Sequence, residues 1–159
     1  MQTLETILAE HPFFKDISPQ YMRLITGCAS NVRYSSGAYI FREGEGATHF
    51  YILRHGKVAL ETYVPQHDPV IIETIEAGEV LGWSWLFPPY RWHFSARVVE
   101  PTRAIALDGI CLRQKSEEDH DFGYQLLKKV ASIIMERLQA TRIQLLHMYN
   151  APSTPLKRS

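Results

Sequence analysis

Hydrophobic positions along the chain change their spacing twice, and the changes divide it into three stretches. Over the first thirty residues Leu4, Ile7 and Leu8 share one helical face. Ser18-Pro19 then supplies an N-cap with proline at the first helical position, ahead of Met22, Leu24 and Ile25. Two short helices are expected over 1–30. From Val32 the spacing shortens to runs rich in β-branched and aromatic residues: VRY, AYIF, HFYILR, KVALETYV, VIIETI, FSARVVE and TRAIALD. Turn signals at Ser35-Ser36-Gly37, Gly44-Glu45-Gly46, His55-Gly56 and Gly78 separate them. Seven or eight strands so closely spaced leave no room for crossover helices, so 31–108 is expected to be a jelly-roll-like antiparallel β-core. Alternation along 57–62 sets Val58, Leu60 and Thr62 on one face and Lys57, Ala59 and Glu61 on the other, so one side should look inward and the other should meet water.

After Asp108 the helical period returns, and from about Glu117 to Tyr149 the chain holds no proline and only Gly123 among glycines. A long helix is predicted there, within a helical stretch 109–150. Leu127, Val130, Ile134, Leu138, Thr141, Leu145 and Met148 recur at three- and four-residue steps. Such a stripe suits a second helix, as in a homodimer, and also suits the chain's own β-core. Residues 151–159, APSTPLKRS, read as a flexible polar tail after a domain spanning 1–150. The fold class is therefore α+β and mainly β.

Composition narrows the function classes. With 159 residues, 45% hydrophobic and 21% charged, the chain can bury one core, and 17 basic side chains balance 17 acidic ones, so no global charge points to nucleic acid or membrane. The sequence contains neither an apolar run long enough to span a bilayer nor a basic-then-apolar start, and a cytoplasmic protein is expected. The two cysteines, Cys28 and Cys111, form no CxxC and are expected as buried free thiols. No HxH occurs among the seven histidines, which disfavours a metal-dependent cupin, and GxSxG, Walker A, HExxH and zinc-ligand spacings are absent. Nothing marks a haem site. An enzyme is not expected.

The segments PFFKDIS, YSSGAYIFREGEGATHFYILRHGKVAL and Gly78-Glu79-Val80-Leu81-Gly82, with Ser95-Ala96-Arg97-Val98 and the final helix, resemble the cyclic-nucleotide-binding domain of the CRP/FNR-type regulators. The resemblance covers nearly the whole chain. It implies that Glu79 accepts from a ribose hydroxyl, that Gly78 lets ligand and backbone approach, and that the backbone at Ser95 and Ala96 cradles a cyclic phosphate. It further implies a cyclic nucleotide, cyclic AMP or cyclic GMP, as ligand; the residues themselves signal no cofactor. Where the family places an arginine two residues before the alanine, this chain has Phe94. By strand parity Phe94 shares the face of Ala96 while Arg97 points away, which leaves Arg91 and His93 in the preceding loop as substitutes. That loop, from Gly82 to Phe94, holds all three tryptophans; their rings can stack on a base, meet a partner, or fill a vacated pocket.

Three functions follow as expectations. The first is a non-enzymatic sensor whose ligand in the β-core shifts the long helix, the dimer it forms and a downstream protein. The second is a protein-interaction scaffold whose degenerate pocket is filled by Phe94 and the tryptophans. The third is a truncated transcription regulator, although only about ten residues follow Tyr149 and Lys157-Arg158 is too little for DNA.

Overall fold

The computed structural model describes residues 3–150, so the tail expected at 151–159 lies outside the described residues. The chain opens with helix α1 (Leu4–Glu10), a 3₁₀ turn at Pro12–Phe14 and α2 (Pro19–Thr26). Thr3 caps α1 by accepting from the Thr6 N–H at 3.2 Å. Ser18 stands at the N-cap of α2 with Pro19 behind it, but its side chain makes no capping bond and its Oγ is buried without a partner among the described residues.

Six strands follow: β1 (Ala29–Tyr34), β2 (Tyr39–Phe41), β3 (His49–Thr62), β4 (Val70–Glu76), β5 (Val80–Leu81) and β6 (Ser95–Asp108). Every pairing is antiparallel, in the order β1-β6-β3-β4, with β2 on β6 and β5 on β3. The expected seven or eight strands become six: two pairs of the seven runs fuse, and the short β5, outside all of them, is added. HFYILR and KVALETYV are one strand carried through Gly56, whose φ of +110° sits in a bulge instead of a turn. A Cβ at Gly56 would run into Thr102 and the Pro101 carbonyl, so only glycine allows β3 and β6 to touch there. FSARVVE and TRAIALD likewise form the single strand β6.

The alternation expected over 57–62 fails on one face. Ala59 and Glu61 are as buried as Val58 and Leu60. Glu61 is held there by Arg97, whose Nε donates to Oε2 at 2.7 Å, which supplies the charged partner a buried carboxylate needs.

The helical stretch is also two elements, α3 (Gly109–Glu118) and α4 (His120–Tyr149). Asp119 breaks it and caps α4 by accepting from the Asp121 and Phe122 N–H groups. Tyr21 on α2 donates to Asp121 at 2.9 Å, and desolvation followed by the bonds to Asp121 and Asp119 pushes its phenol up to about 12. The stripe predicted on the long helix splits in two. Phe122, Leu126, Val130 and Ile133 are buried against the core, whereas Leu127, Leu138, Leu145 and Met148 lie on the exposed side. Farther along, Arg137 reaches Glu73 and the Val80 carbonyl, and Gln144 donates to the Ile72 carbonyl at 2.6 Å, covering part of the edge of β4.

The cysteines are not free thiols. Cys28, just before β1, and Cys111, in the first turn of α3, are joined by a disulfide. The Asp108 N–H donates to the Cys28 carbonyl, so pairing of β1 with β6 delivers residues 83 positions apart to one place. No helix among the described residues is long and apolar enough to cross a membrane.

Candidate functional site

Gly78 and Glu79 form the turn between β4 and β5. The Gly78 N–H donates to the Leu53 carbonyl at 2.7 Å and the Leu53 N–H to the Glu79 carbonyl at 3.0 Å. The Glu79 carboxylate closes its own turn, accepting from the Glu76 N–H at 2.7 Å. His11 spans to the same turn: its Nε2 donates to the Gly78 carbonyl at 2.7 Å and its Nδ1 accepts from the Phe13 N–H, an arrangement that places the proton on Nε2. With Arg137 and Glu136 of α4 these residues line a groove of about 350 Å³. Beneath it Glu73 has its carboxyl pushed up by burial, against the pull of Arg137. Val80 and Leu81 are core residues on β5, opposite Ile52 and Tyr51.

The other half of the expected site opens β6. Ala96 is fully buried opposite Leu60, and Ser95, opposite Glu61, accepts from the Glu43 N–H at 2.9 Å through its Oγ. Val80 and Ala96 pair with Ile52 and Leu60, eight residues apart on β3, and the register shifts around Gly56 lie between them.

The loop between them is where the aromatics converge. Gly82 has φ +102°, and a Cβ there would meet the Trp92 ring. Its absence lets Trp92 close down and stack on Phe41, with centroids 3.6 Å apart. Phe94 is 6% exposed and packs 6.0 Å from Phe41 and 6.5 Å from Trp83. Trp85, in the 3₁₀ turn Ser84–Leu86, is fully buried and stacked on Phe50. His93 is exposed, lies against the Trp83 ring at 5.0 Å and bonds Ser84 through Nδ1.

Arg91 and Arg97 both have partners in the structure. Arg91 donates to the Gly44 carbonyl at 2.9 Å, and Arg97 is committed to Glu61 on the face opposite Ala96, as strand parity requires. The contact between Arg97 and Glu61 was not legible from spacing, because it joins strands 36 residues apart. Clusters of histidine, cysteine or carboxylates able to hold a metal are absent among the described residues.

Comparison with known proteins places this geometry. A family model described as the cyclic nucleotide-binding domain matches residues 31–119. A protein of Geobacter metallireducens GS-15, provisionally described as a cyclic nucleotide-binding protein, superposes with a TM-score of 0.76 at 28% identity, over 87% of this chain and 99% of its own. The sensor domain of the transcriptional regulator DNR from Pseudomonas aeruginosa does so at 0.68 and 21% identity, over 85% and 91%. The regulatory domain of Toxoplasma gondii PKA, solved with cAMP, reaches 0.65 at 17% identity, over 86% of this chain and 48% of that one. The last two likenesses carry the fold. None of the curated proteins matches this sequence.

Proposed function

Because this chain belongs to the cyclic nucleotide-binding domain family, we propose that it is a non-enzymatic regulatory module paired through α4, in which the site for a cyclic phosphate has exchanged its cation for an aromatic cluster. The observation that carries this is Phe94: it is buried between Phe41 and Trp83, at the position where the family resemblance expects arginine, while Arg91 and Arg97 are both engaged elsewhere. A cyclic phosphate seated at Ala96 would lose a charged hydrogen-bond partner, about 1.5–3 kcal/mol or roughly ten- to a hundredfold in affinity. It would also have to displace the Trp92 and Phe41 rings. Cyclic AMP and cyclic GMP are therefore weak ligands of this domain at most.

Thermal unfolding with millimolar cyclic AMP, cyclic GMP and linear AMP tests this. A native-state ligand at a hundred times its Kd adds about 2.7 kcal/mol. The expected result is no shift specific to either cyclic nucleotide; a clear shift for one of them overturns the proposal and restores a working cyclic-nucleotide sensor.

Pairing rests on α4. Its inner face is used by the core, yet Leu127 is 43% exposed, Leu138 64% and Leu145 52% along one line of its outer face. A second copy of the same helix would cover that line, and any downstream protein would read the pair. Sedimentation velocity should show a dimer. Leu138→Glu should weaken it roughly a hundredfold, since an unpaired carboxylate in an apolar seam costs a few kcal/mol. A monomeric wild-type protein would refute the pairing.

A further inference from the structure

Away from the aromatic loop, three arginines and a histidine converge on the outside of β1, β6 and β3. Arg33 of β1 lies directly opposite Arg103 of β6, and Arg103 lies opposite His55 of β3. The register shift between Leu53 and His55 leaves Arg54 as an additional, unpaired residue, so that Arg54 and His55 both answer to Arg103. Like charges directly across a ladder destabilise a sheet. Here they stand in a row without relief: none of Arg33, Arg54, Arg103 or His55 makes an ion pair or hydrogen bond with its side chain among the described residues. The nearby carboxylate of Glu100 is taken by Lys57 at 3.7 Å.

The same row walls two hollows. One, of about 520 Å³, is lined by Arg33, Arg103 and His55 together with Ser35 and Ser36. The other, of about 330 Å³, is lined by Arg33, Arg54 and Arg103 with Asn31. Among the described residues no carboxylate lines either hollow. The chain as a whole is neutral, 17 basic against 17 acidic side chains, so this concentration of cations is a local feature and does not follow from a basic protein. Guanidinium groups present forked donors that match phosphate oxygens.

We propose that Arg33, Arg54, Arg103 and His55 form an anion site for a small molecule carrying two or more phosphate groups, spanning the two hollows across the Arg33–Arg103 pair. The proposal does not use the expected nucleotide site: Arg103 pairs at His55, six residues along β3 from Glu61, the partner of Ser95. Paired arginines at the shared wall suit two linked phosphates better than one, because each hollow has its own third donor, His55 in one and Arg54 in the other.

Calorimetric titration with inorganic tripolyphosphate at physiological ionic strength tests it. Saturable binding is expected, weakened about tenfold or more by Arg103→Ser and lost in Arg33→Ser/Arg103→Ser, since each charge-assisted contact removed is of that size. Lys128→Ser, which removes a cation on α4, should leave binding unchanged. All four side chains of the site are exposed, so the variants should fold, and the unfolding temperature of Arg103→Ser should not drop. Absence of saturable binding overturns the site. So does a loss as large in Lys128→Ser, which would reduce it to diffuse charge, or duplex DNA binding more tightly than tripolyphosphate and failing in the same variants, which would make it a nucleic-acid surface.

Discussion

Replacing both cysteines, Cys28→Ser with Cys111→Ser, lowers the thermal midpoint by roughly 10 °C. The bond closes a loop of 83 residues that holds almost the entire β-core. Removing that constraint returns entropy to the unfolded chain, about 4.5 kcal/mol for a loop of this length on the chain-entropy model. Part is offset because the reduced, unfolded chain keeps residual structure and has less entropy to regain. A net loss of about 3–4 kcal/mol remains, and each kcal/mol moves the midpoint of a domain this size by about 2–4 °C. Calorimetry of the variant beside the oxidised wild type measures it; a difference under about 2 °C would mean that the bond adds nothing to the native state. The same bond bears on where the protein works. Disulfides are rare in the reducing cytoplasm, so the cytoplasmic location expected from the sequence and a closed Cys28–Cys111 pair pull in opposite directions. Thiol titration of protein taken directly from its cell decides between them.

Much of the fold was legible because its signals are local. Period-two runs bounded by glycines give strands, and a proline-free stretch with apolar residues at three- and four-residue steps gives a helix. What was missed depends on contacts between distant segments. His55-Gly56 looks like a turn, and only the close approach of Thr102 makes it a bulge within one long strand. Ala59 and Glu61 look solvated until Arg97, 36 residues after Glu61, arrives on the same face. The cysteines carried a usable clue: there are two, one at each border of the β-core, and an antiparallel core brings its borders together. The stripe on the long helix was read as one surface because sequence spacing cannot separate two apolar faces only about a sixth of a turn apart; burial separates them at Val130 and Leu127.

The candidate site was less legible than the fold. Strand parity correctly turned Arg97 away from Ala96, since parity is a property of the backbone alone. The loop residues had no such rule. Arg91 and His93 were expected to stand in for the missing arginine, and the structure gives the first to the Gly44 carbonyl and the second to Ser84 and Trp83. Their positions depend on how Trp92 and Trp85 insert into the core, a packing outcome that composition announces only as an excess of tryptophan.

Phe94→Arg is then the substitution that separates a lost cation from a closed pocket. It places a guanidinium against the Phe41 and Trp83 rings, a buried position where the contacts described are aromatic. An uncompensated buried charge costs about 3–5 kcal/mol, so the midpoint should fall by about 10 °C at 2–4 °C per kcal/mol. Phe94→Leu controls for the packing change alone and should cost about 1 kcal/mol, because it stays apolar and nearly fills the space. The informative comparison is with millimolar cyclic AMP. If Phe94 had merely replaced the cation, restoring arginine would create a partner for the phosphate and the nucleotide would recover most of the lost stability. The stack of Trp92 on Phe41, closed over Gly82, predicts otherwise: both rings stay in place in Phe94→Arg, the phosphate cannot reach Ala96, and cyclic AMP recovers nothing. A recovery of about 2.7 kcal/mol or more, the signature of a ligand held a hundredfold above its Kd, would show that the rings yield to a ligand, and the domain would then be a nucleotide sensor one residue removed from function.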